Sequence, residues 1–593
     1  MAIPISDSRI RRPKTPDHDP SLGHKQGDGR HLPESTPLEP QSASAERMPA
    51  TIMRFRSDRD CLDRCLSVPY SPKRRERMRE FFREWQRAQE DVPFSDLVRS
   101  DRADWLLFRG LLEAELRRLD REEHRYVEAE PLLPFAASLI ALGEARLALE
   151  DVNPQAAATQ LHEAHIQIKE LTKKLEAGEG HAAASVVGYA IHAISRLRTS
   201  LESWFNFYNS YDPSFSWWME KPYQALNKSL EDYGVFLREK VAGAESDTVL
   251  GDPIGPEALA NELRFSQIPY GPEELIAAAQ REMQWCISEL RKAAQDLGYG
   301  DDWRAALEQV KSEHAAPGGQ PALVRDLAAE AVEYVRANNL VTVPALAQEC
   351  WRMEMISPER QKINPFFWGG ESMGVSFPVS EMEHPEKQMS LRGNNRAFAR
   401  ATVHHEMIPG HRLQAFYQER YRPYRRVFYT PFWTEGWTLH WEMLLWERGF
   451  PRTPQEKIGM LFWRQHRCAR VVFSLKFHLG QMTALECIEM LVNETGHELE
   501  NARAEVRRSF ESRFDPLYQA AYLIGGMQVH ALYNELVGLG HMSDQEFHDA
   551  FLQENCMPIA TLRALLTDGP LDRDYQPEWR FLDQPAERSA SDD

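Results

Sequence analysis

The sequence predicts a mainly α-helical fold with many helices and one small β-sheet, and three observations lead to this prediction. Apolar residues recur every three or four positions over most of the chain after Ser71, which is the period of an amphipathic helix. Pro272-Glu273-Glu274 has the proline and the acidic residues that favour a helix N-terminus. Patterns typical of strands are confined to about residues 340–385.

The first clear helical pattern is Met78, Phe81, Phe82, Trp85 and Ala88, and the second is Trp105, Leu106, Leu112, Leu116 and Leu119. Further helices are expected at about 155–176, 184–207, 223–241, 272–297, 303–310 and 323–337. The expected strands contain Val341, Val343, the run Phe366-Phe367-Trp368 and residues 374–378. A strand beside the helix that carries His405 would also offer an edge to an extended substrate.

Changes in composition divide the chain into four parts. Residues 1–50 are rich in Pro, Ser, His and Asp, so they bury too little apolar surface to offset the cost of ordering, and we expect a disordered tail. Glycine and proline at 251–256 separate an N-terminal helical region, 51–250, from a second helical region, 251–580, which holds the sheet and the motif described below. Residues 581–593 form a flexible C-terminal tail in this prediction.

Charge and cysteine content narrow the class of protein. The chain has 70 basic and 89 acidic residues, a net charge of −19, which disfavours a nucleic-acid partner. The most apolar stretch, 131–143, is too short to span a bilayer, and the N-terminus lacks a signal-peptide pattern. Seven scattered cysteines are typical of reduced thiols. We therefore expect a cytoplasmic protein with no membrane partner, while the oligomeric state is left open.

One stretch within residues 403–414 has the residue types of a metal site. His405 and His411 are six residues apart, which on an unbroken helix would put them on different faces, about 240° apart, and His404 would share a face with His411 but lie ~10.5 Å away along the axis. Pro409 and Gly410 offer a solution, because proline disrupts the helical ladder and glycine accepts unusual backbone conformations. A local bulge could then return His411 to the face of His405. The alternative is an ordinary helix with three surface or capping histidines.

A zinc site needs a third protein ligand. Glu435 lies in Thr434-Glu435-Gly436-Trp437, in a nearly all-apolar and hence buried helical segment, where a carboxylate is costly unless it is paired or bound to a metal. Glu442, seven residues later on the same face, competes for this role or orients a histidine. We expect one Zn²⁺ per chain, although manganese or cobalt would also suit such ligands.

Glu406 follows His405 directly and so lies on the same turn, beside a metal-bound water. Zinc lowers the pKa of such a water towards neutrality, and Glu406 would take its proton as general base and pass it to the leaving amine.

Four motifs in this order resemble the bacterial family called domain of unknown function 885, over about residues 55–575. They are His405-Glu406-x-x-Pro409-Gly410-His411-x-x-Gln414, then Glu435-Gly436-Trp437, then Arg470-x7-His478, and finally Pro516-x-x-Gln519-Ala520-x-Tyr522-x-x-Gly525. The resemblance implies a largely α-helical, metallopeptidase-like fold with the small sheet near the active site. It also implies that His405, His411 and Glu435 bind the metal, that Glu406 is the base, and that His478 and Tyr522 hydrogen-bond to the transition state.

Further residues are assigned to supporting roles. Gln414 closes the first motif, and His404 either supports a ligand or is exposed. Arg507 and Arg508 lie just upstream of Tyr522 and could grip a substrate carboxylate. A solvated helix face would explain the two arginines equally well.

We therefore expect a zinc-dependent hydrolase, in the first place a metallopeptidase that cleaves peptide amide bonds by zinc-activated water. A non-peptide amide or a metabolite conjugate is the alternative substrate. A catalytically silent helical protein that keeps zinc for stability is the third possibility, which is favoured by Ser474 and Lys476, where the chain departs from the family pattern.

Overall fold

The computed structural model describes residues 46–245, 248–361, 366–511 and 515–583. These residues form 23 α-helices and one two-stranded sheet, which confirms the mainly α prediction. Most of the two predicted tails lies outside the described residues. Among the described residues of those tails, the first helix already begins at Met48, and Phe581 is buried. No helix in the described ranges has both the length and the apolar character needed to cross a bilayer.

The first seven helices lie in the predicted N-terminal region. They are α1 (Met48–Cys65), α2 (Pro72–Glu90), α3 (Arg99–Ala129), α4 (Ala136–Leu147), α5 (Pro154–Glu176), α6 (Ala184–Tyr208) and α7 (Pro213–Phe236). Helices α2, α5 and α7 each begin with a proline at N1 or N2 and a side-chain N-cap. Proline is favoured there because the first helical N–H has no partner within the helix, and the cap accepts a hydrogen bond from another free amide.

The remaining helices follow residue 250. They are α8 (Gly255–Phe265), α9 (Pro272–Asp296), α10 (Trp303–Ser312), α11 (Gln320–Ala337), α12 (Ala345–Glu349), α13 (Pro358–Gln361), α14 (His384–Gly393), α15 (Arg396–Glu406), α16 (His411–Gln418), α17 (Pro431–Glu447), α18 (Pro454–His478), α19 (Ala484–Thr495), α20 (Leu499–Glu511), α21 (Tyr518–Tyr533), α22 (Asp544–Glu554) and α23 (Ile559–Leu566).

The sheet lies within the predicted range 340–385, but among the expected strand residues only 374 and 375 belong to it, and the strands expected at Val341, Val343 and Phe366–Trp368 are wrong. Strands β1 (Arg352–Met355) and β2 (Ser372–Val375) are parallel, with Arg352 opposite Ser372 and Met355 opposite Val375. Met373 and Val375 of β2 belong to the same buried cluster as Val403 of α15. The sheet therefore packs against the helix that carries His405.

Two apolar cores divide the N-terminal helices between them. One core is built within residues 68–237, chiefly from α4–α7. A larger core joins α1, α2 and the first half of α3 to the C-terminal part of α9 and to helices that follow it. The domain boundary predicted near residue 250 stays a prediction. Helix α3 contributes buried side chains to both apolar cores.

A buried ion pair fixes α3 to the second region. Asp104 of α3 accepts a hydrogen bond from Nε of Arg425 at 2.7 Å, and both side chains are completely buried. Tyr424 donates to the other oxygen of Asp104 at 2.8 Å. Both partners lie in the 3₁₀ segment Pro423–Phe428, which leads into α17. The start of α17 is thereby positioned against α3.

Candidate metal centre

The stretch His404–His411 forms a tight turn between two helices. Helix α15 ends at Glu406, α16 begins at His411, and the Ile408–Pro409 peptide bond is cis. The Gly410 amide donates to the His404 carbonyl at 3.0 Å, and the Arg412 amide donates to the Met407 carbonyl at 3.1 Å. The return of His411 towards His405 is thus made by a break between two helices and not by a bulge within one.

Gly410 is required by the closeness of this turn to the end of α15. A Cβ on Gly410 would lie 1.9 Å from the His405 carbonyl oxygen and 2.4 Å from that of His404. Such distances exclude any side chain at this position without a shift of the backbone. The turn is also held from α17, where the Trp437 indole N–H donates to the Pro409 carbonyl at 2.9 Å.

The turn brings together three of the predicted metal ligands. One ligand atom from each of His405, His411 and Glu435 lies within 4.8 Å of the others. Glu435 Oε2 is 3.5 Å from His405 Nε2 and 3.2 Å from His411 Nε2. His405 and Glu435 are buried, and His411 is nearly so.

Hydrogen bonds on the far side of each imidazole fix its orientation. His405 Nδ1 is 2.8 Å from Glu442 Oε1, which also accepts from Arg467 at 3.3 Å. His411 Nδ1 is 3.3 Å from Gln414 Oε1, and the Gln414 amide donates to the Trp433 carbonyl at 3.3 Å. With each Nδ1 directed to an oxygen acceptor, each Nε2 is left to face Glu435.

The two oxygens of Glu435 have different surroundings. Oε1 accepts a hydrogen bond from the Tyr518 hydroxyl at 2.6 Å. Oε2 is buried and faces the Nε2 atoms of the two histidines. Burial opposes ionisation of Glu435, but the adjacent His411 and His405 outweigh it and hold the pKa of this carboxyl well below its usual range. An ionised, buried carboxylate is costly without a positive partner, and one that faces two imidazole nitrogens is suited to a cation.

Glu406 lies at the last position of α15, pressed against the segment that precedes β2. A Cβ on Gly369 would lie 2.2 Å from the Glu406 carbonyl oxygen and 2.7 Å from its carboxylate Oε2. The neighbouring Trp368 exchanges backbone hydrogen bonds of 3.1 and 2.9 Å with Gly374 of β2. The negative charge of Glu406 helps to raise the pKa of His411.

A close helix crossing places two tyrosines at the cluster. Gly436 of α17 and Gly525 of α21 meet so closely that a Cβ on Gly436 would lie 2.7 Å from the Gly525 carbonyl carbon. Tyr518 and Tyr522 are therefore brought beside Glu435. The Tyr522 hydroxyl donates to Tyr518 at 3.2 Å and accepts from Arg508 at 3.2 Å. Sequence reasoning found Tyr522 and Arg508 but missed Tyr518, although its place four residues before Tyr522 puts both on one helix face.

A buried carboxylate supports these groups from behind. Glu505 of α20 accepts from Arg470 at 2.7 Å and from the Gln519 amide at 2.9 Å. Burial would raise the pKa of Glu505, but the charges of Arg470 and Arg508 outweigh it and lower the pKa to about 2. Arg470 in turn packs its guanidinium 4.4 Å from the centre of the Tyr522 ring.

Three predicted residues contact groups outside the cluster. His478 is the last residue of α18, two turns and roughly 12 Å beyond Arg470, and its ring lies 6.1 Å from that of Phe510. Burial lowers the pKa of His478 to about 4. His404 is buried against Phe450, with ring centres 4.5 Å apart. Arg507 lies 3.7 Å from Glu511.

Comparison with known proteins gives a family and a fold. The sequence profile of a family described as a bacterial protein of unknown function, DUF885, matches residues 50–566. No curated protein matches the chain. A "putative lipoprotein of unknown function" from Shewanella oneidensis has a similar structure, with a TM-score of 0.65 and 15% identity, covering 88% of this chain and 100% of that one. A "putative lipoprotein" from Colwellia psychrerythraea has a TM-score of 0.57 and 14% identity, covering 88% and 97%. At these identities the likeness shows the fold alone.

Proposed function

This chain belongs to the bacterial family DUF885, and we propose that it is a zinc-dependent hydrolase that cleaves peptide amide bonds. The observation that carries the proposal is the convergence of three buried or nearly buried groups, in which the Nε2 atoms of His411 and His405 face Oε2 of Glu435 at 3.2 and 3.5 Å.

The donor set fits zinc. Two neutral imidazoles and one carboxylate are a common ligand set of catalytic zinc sites, which keep a further position open. His405, His411 and Glu435 would hold one Zn²⁺, while Glu442 and Gln414 orient the two rings. When bound, the ion would act as a Lewis acid that polarises the amide carbonyl and activates a water molecule.

The protein's own groups would then handle protons and charge. Glu406 is the proposed general base, because it follows the ligand His405 directly, its negative charge acts on His411, and it is not one of the three grouped residues. It would accept a proton from the attacking water and return it to the leaving amine. Tyr518 keeps its hydrogen bond to Glu435, whereas the Tyr522 hydroxyl would turn its proton from Tyr518 to the oxygen that becomes negatively charged, and Arg508 supports it with a partly buried positive charge.

We also propose that the protein is located outside the cytoplasm. The two similar structures are described as putative lipoproteins, and this supports a location outside the cytoplasm over the cytoplasmic location expected from the sequence.

Metal content followed by peptide hydrolysis tests the proposal. Elemental analysis should find about one zinc per chain in the wild type and in His404→Ala, a matched control in the same turn, but not in His411→Ala. Glu406→Gln should keep its zinc and lose at least ~100-fold in the rate of peptide hydrolysis.

Each departure from this pattern would have its own meaning. Zinc retained in His411→Ala would refute the ligand set, and full activity of Glu406→Gln would refute the base. Zinc-loaded protein that hydrolyses other amides but no peptide would point to a non-peptide substrate.

A further inference from the structure

The candidate metal centre is partly open to solvent. His405 and Glu435 are buried, whereas His411 keeps 16% of its side chain exposed. Tyr518, which hydrogen-bonds to Glu435, and Arg508 are also partly exposed. The groups that a substrate can reach at this centre therefore include His411, Tyr518 and the positive charge of Arg508.

Arg508 is joined to the metal ligands by a short series of contacts. Its Nη2 donates to the Tyr522 hydroxyl at 3.2 Å, and its guanidinium carbon lies 5.8 Å from the centre of the Tyr518 ring. The Tyr522 ring stacks on the imidazole of His405, with centres 5.8 Å apart and planes 13° apart. Tyr518 in turn donates to Glu435 at 2.6 Å. The two tyrosines alone therefore connect the guanidinium to two of the three ligands.

Arginines outnumber the carboxylates that face them on this side of the centre. Arg467 lies 3.3 Å from Glu442, and Arg470 lies 2.7 Å from Glu505. Arg508 is the third guanidinium, and the Glu505 carboxylate acts on it as well as on Arg470. Three positive charges therefore share two negative ones. Arg467 and Arg470 are buried, so of the three guanidinium groups the partly exposed Arg508 is the one that a substrate can contact.

Bound zinc would not remove this excess. The ion would bring two positive charges, which the carboxylates of Glu435 and Glu406 match. Counted over the described residues, the loaded centre keeps one extra positive charge, and Arg508 presents it to solvent. Such a charge repels the ammonium group of a peptide N-terminus and attracts a carboxylate. Five N–H donors in a planar fork also let a guanidinium hold a tyrosine hydroxyl and a carboxylate together.

We propose that the substrate is a peptide with a free C-terminal carboxylate, which Arg508 binds beside the scissile amide, so that the protein removes residues from the C-terminus. In this step the C–N bond of the amide breaks, the hydroxyl of water joins the carbonyl carbon, and Glu406 passes the proton of that water to the departing amine. The inference rests on the proposed peptidase function and adds to it the end of the peptide that is cleaved.

A pair of peptides tests this specificity. Acetyl-Ala-Ala-Phe is offered as the free acid and as the C-terminal amide to zinc-loaded wild type, Arg508→Gln and Arg503→Gln. Arg503 is the matched control, because it lies on the same helix and pairs with Glu500 at the surface. Wild type and Arg503→Gln should cleave the acid with a kcat/KM ~100-fold or more above that of the amide, and Arg508→Gln should bring this ratio below ~10. Equal cleavage of both peptides by wild type, or an unchanged ratio in Arg508→Gln, would overturn the proposal.

The ratio isolates carboxylate binding, because any loss of support for Tyr522 in the variant affects the acid and the amide alike. Arg508→Lys provides a second variant if Arg508→Gln fails to fold, which thermal unfolding checks. It keeps the positive charge without the planar fork, so its ratio should lie between those of wild type and Arg508→Gln. A ratio in Arg508→Lys equal to or above that of wild type would contradict recognition by the fork.

A binding measurement separates this inference from the proposed function. 3-Phenylpropanoate has a carboxylate but no amide to cleave, and 3-phenylpropanol is its uncharged counterpart. By calorimetry, zinc-loaded wild type and Arg503→Gln should bind the carboxylate ~10-fold or more tightly than Arg508→Gln does, while the alcohol should not distinguish the three proteins. If no peptide is cleaved but this pattern holds, the peptidase proposal fails and the carboxylate site stands. Equal binding of the carboxylate to all three proteins, or to none, would overturn the carboxylate site.

Discussion

The Tyr518 hydroxyl donates to Oε1 of Glu435 at 2.6 Å, whereas Oε2 of the same carboxylate faces the imidazoles of His405 and His411. The two oxygens therefore have separate roles. Behind Tyr518, the hydroxyl of Tyr522 donates to Tyr518 and accepts from the partly buried Arg508, so each donor in this series is oriented by the next. The series directs one oxygen of Glu435, and one only, towards the histidines.

Removal of the Tyr518 hydroxyl tests this arrangement. Tyr518→Phe should weaken zinc affinity by about 10- to 100-fold, the usual effect of losing a hydrogen bond that orients a ligand. Competition with a chromogenic chelator measures the affinity. Tyr522→Phe is the matched control, which should have a smaller effect because it acts on Glu435 only through Tyr518. Equal affinities of Tyr518→Phe and wild type would contradict the assigned role.

Substitution of Gly410 tests the structure of the turn between α15 and α16. Gly410→Ala would force a Cβ to within 1.9 Å of the His405 carbonyl oxygen, so the turn must open. We expect a loss of about 3 kcal/mol in the free energy of unfolding and a loss of zinc binding. Calorimetry and metal analysis measure both effects. Gly234→Ala, in open space on α7, should instead be neutral or stabilising by up to about 1 kcal/mol.

The sequence was sufficient to predict the fold class and the convergence of His405, His411 and Glu435. The fold class was predictable because helical periodicity is a local property of the sequence. The convergence of His405 and His411 was predictable because few backbone conformations at Pro409 and Gly410 bring two histidines six residues apart to one site. The same reasoning predicted a bulged helix, since nothing local indicates that α15 ends at Glu406 and that a second helix begins at His411.

The residues that sequence reasoning missed depend on contacts between distant segments. Tyr518 reaches Glu435 only because Gly436 and Gly525 let α17 and α21 cross at close range. Likewise, Gly369 lies against Glu406 through a segment that pairs with β2. Such glycines look like simple breaks in a pattern until the partner helix or strand is known.

Zinc uptake should release a proton from His411. Burial lowers the pKa of His411, but the Glu435 carboxylate outweighs burial and raises the pKa to about 9 in the metal-free protein. At pH 7.5 the ring is therefore protonated, and zinc must displace that proton. Apparent affinity should rise about tenfold per pH unit up to about pH 9.

Calorimetric titration in buffers of different ionisation enthalpy counts the protons released. About one per zinc is expected at pH 7.5. Glu406→Gln should keep its zinc but removes a second negative charge that raises the pKa of His411, so its proton release should fall off at a lower pH than that of wild type. Zinc binding by wild type without proton release would show that His411 is already neutral.

Because of Glu505, the free energy of unfolding should depend on pH in the acid range. Its pKa is lowered to about 2, since Arg470 and Arg508 outweigh the burial that would raise it. A carboxyl with a lowered folded-state pKa stabilises the fold at pH values above its unfolded-state pKa of about 4.5, and this stabilisation is lost as pH falls towards 2. The contribution at neutral pH is about 3 kcal/mol. Glu505→Gln should therefore unfold at a lower temperature than wild type at pH 7, and the gap should narrow between pH 4.5 and 2.5.

A control on the same helix separates this effect from the general effect of acid. Glu500 is exposed and pairs with Arg503 at 2.9 Å on the surface of α20, so Glu500→Gln should change the unfolding temperature little at any pH. Thermal unfolding of the three proteins from pH 7 to 2.5 provides the comparison. If the gap between wild type and Glu505→Gln were constant across this range, the carboxylate would not be the titrating group. The loss in the variant would then come from packing around Arg470 and Gln519, which Glu505 contacts in the structure.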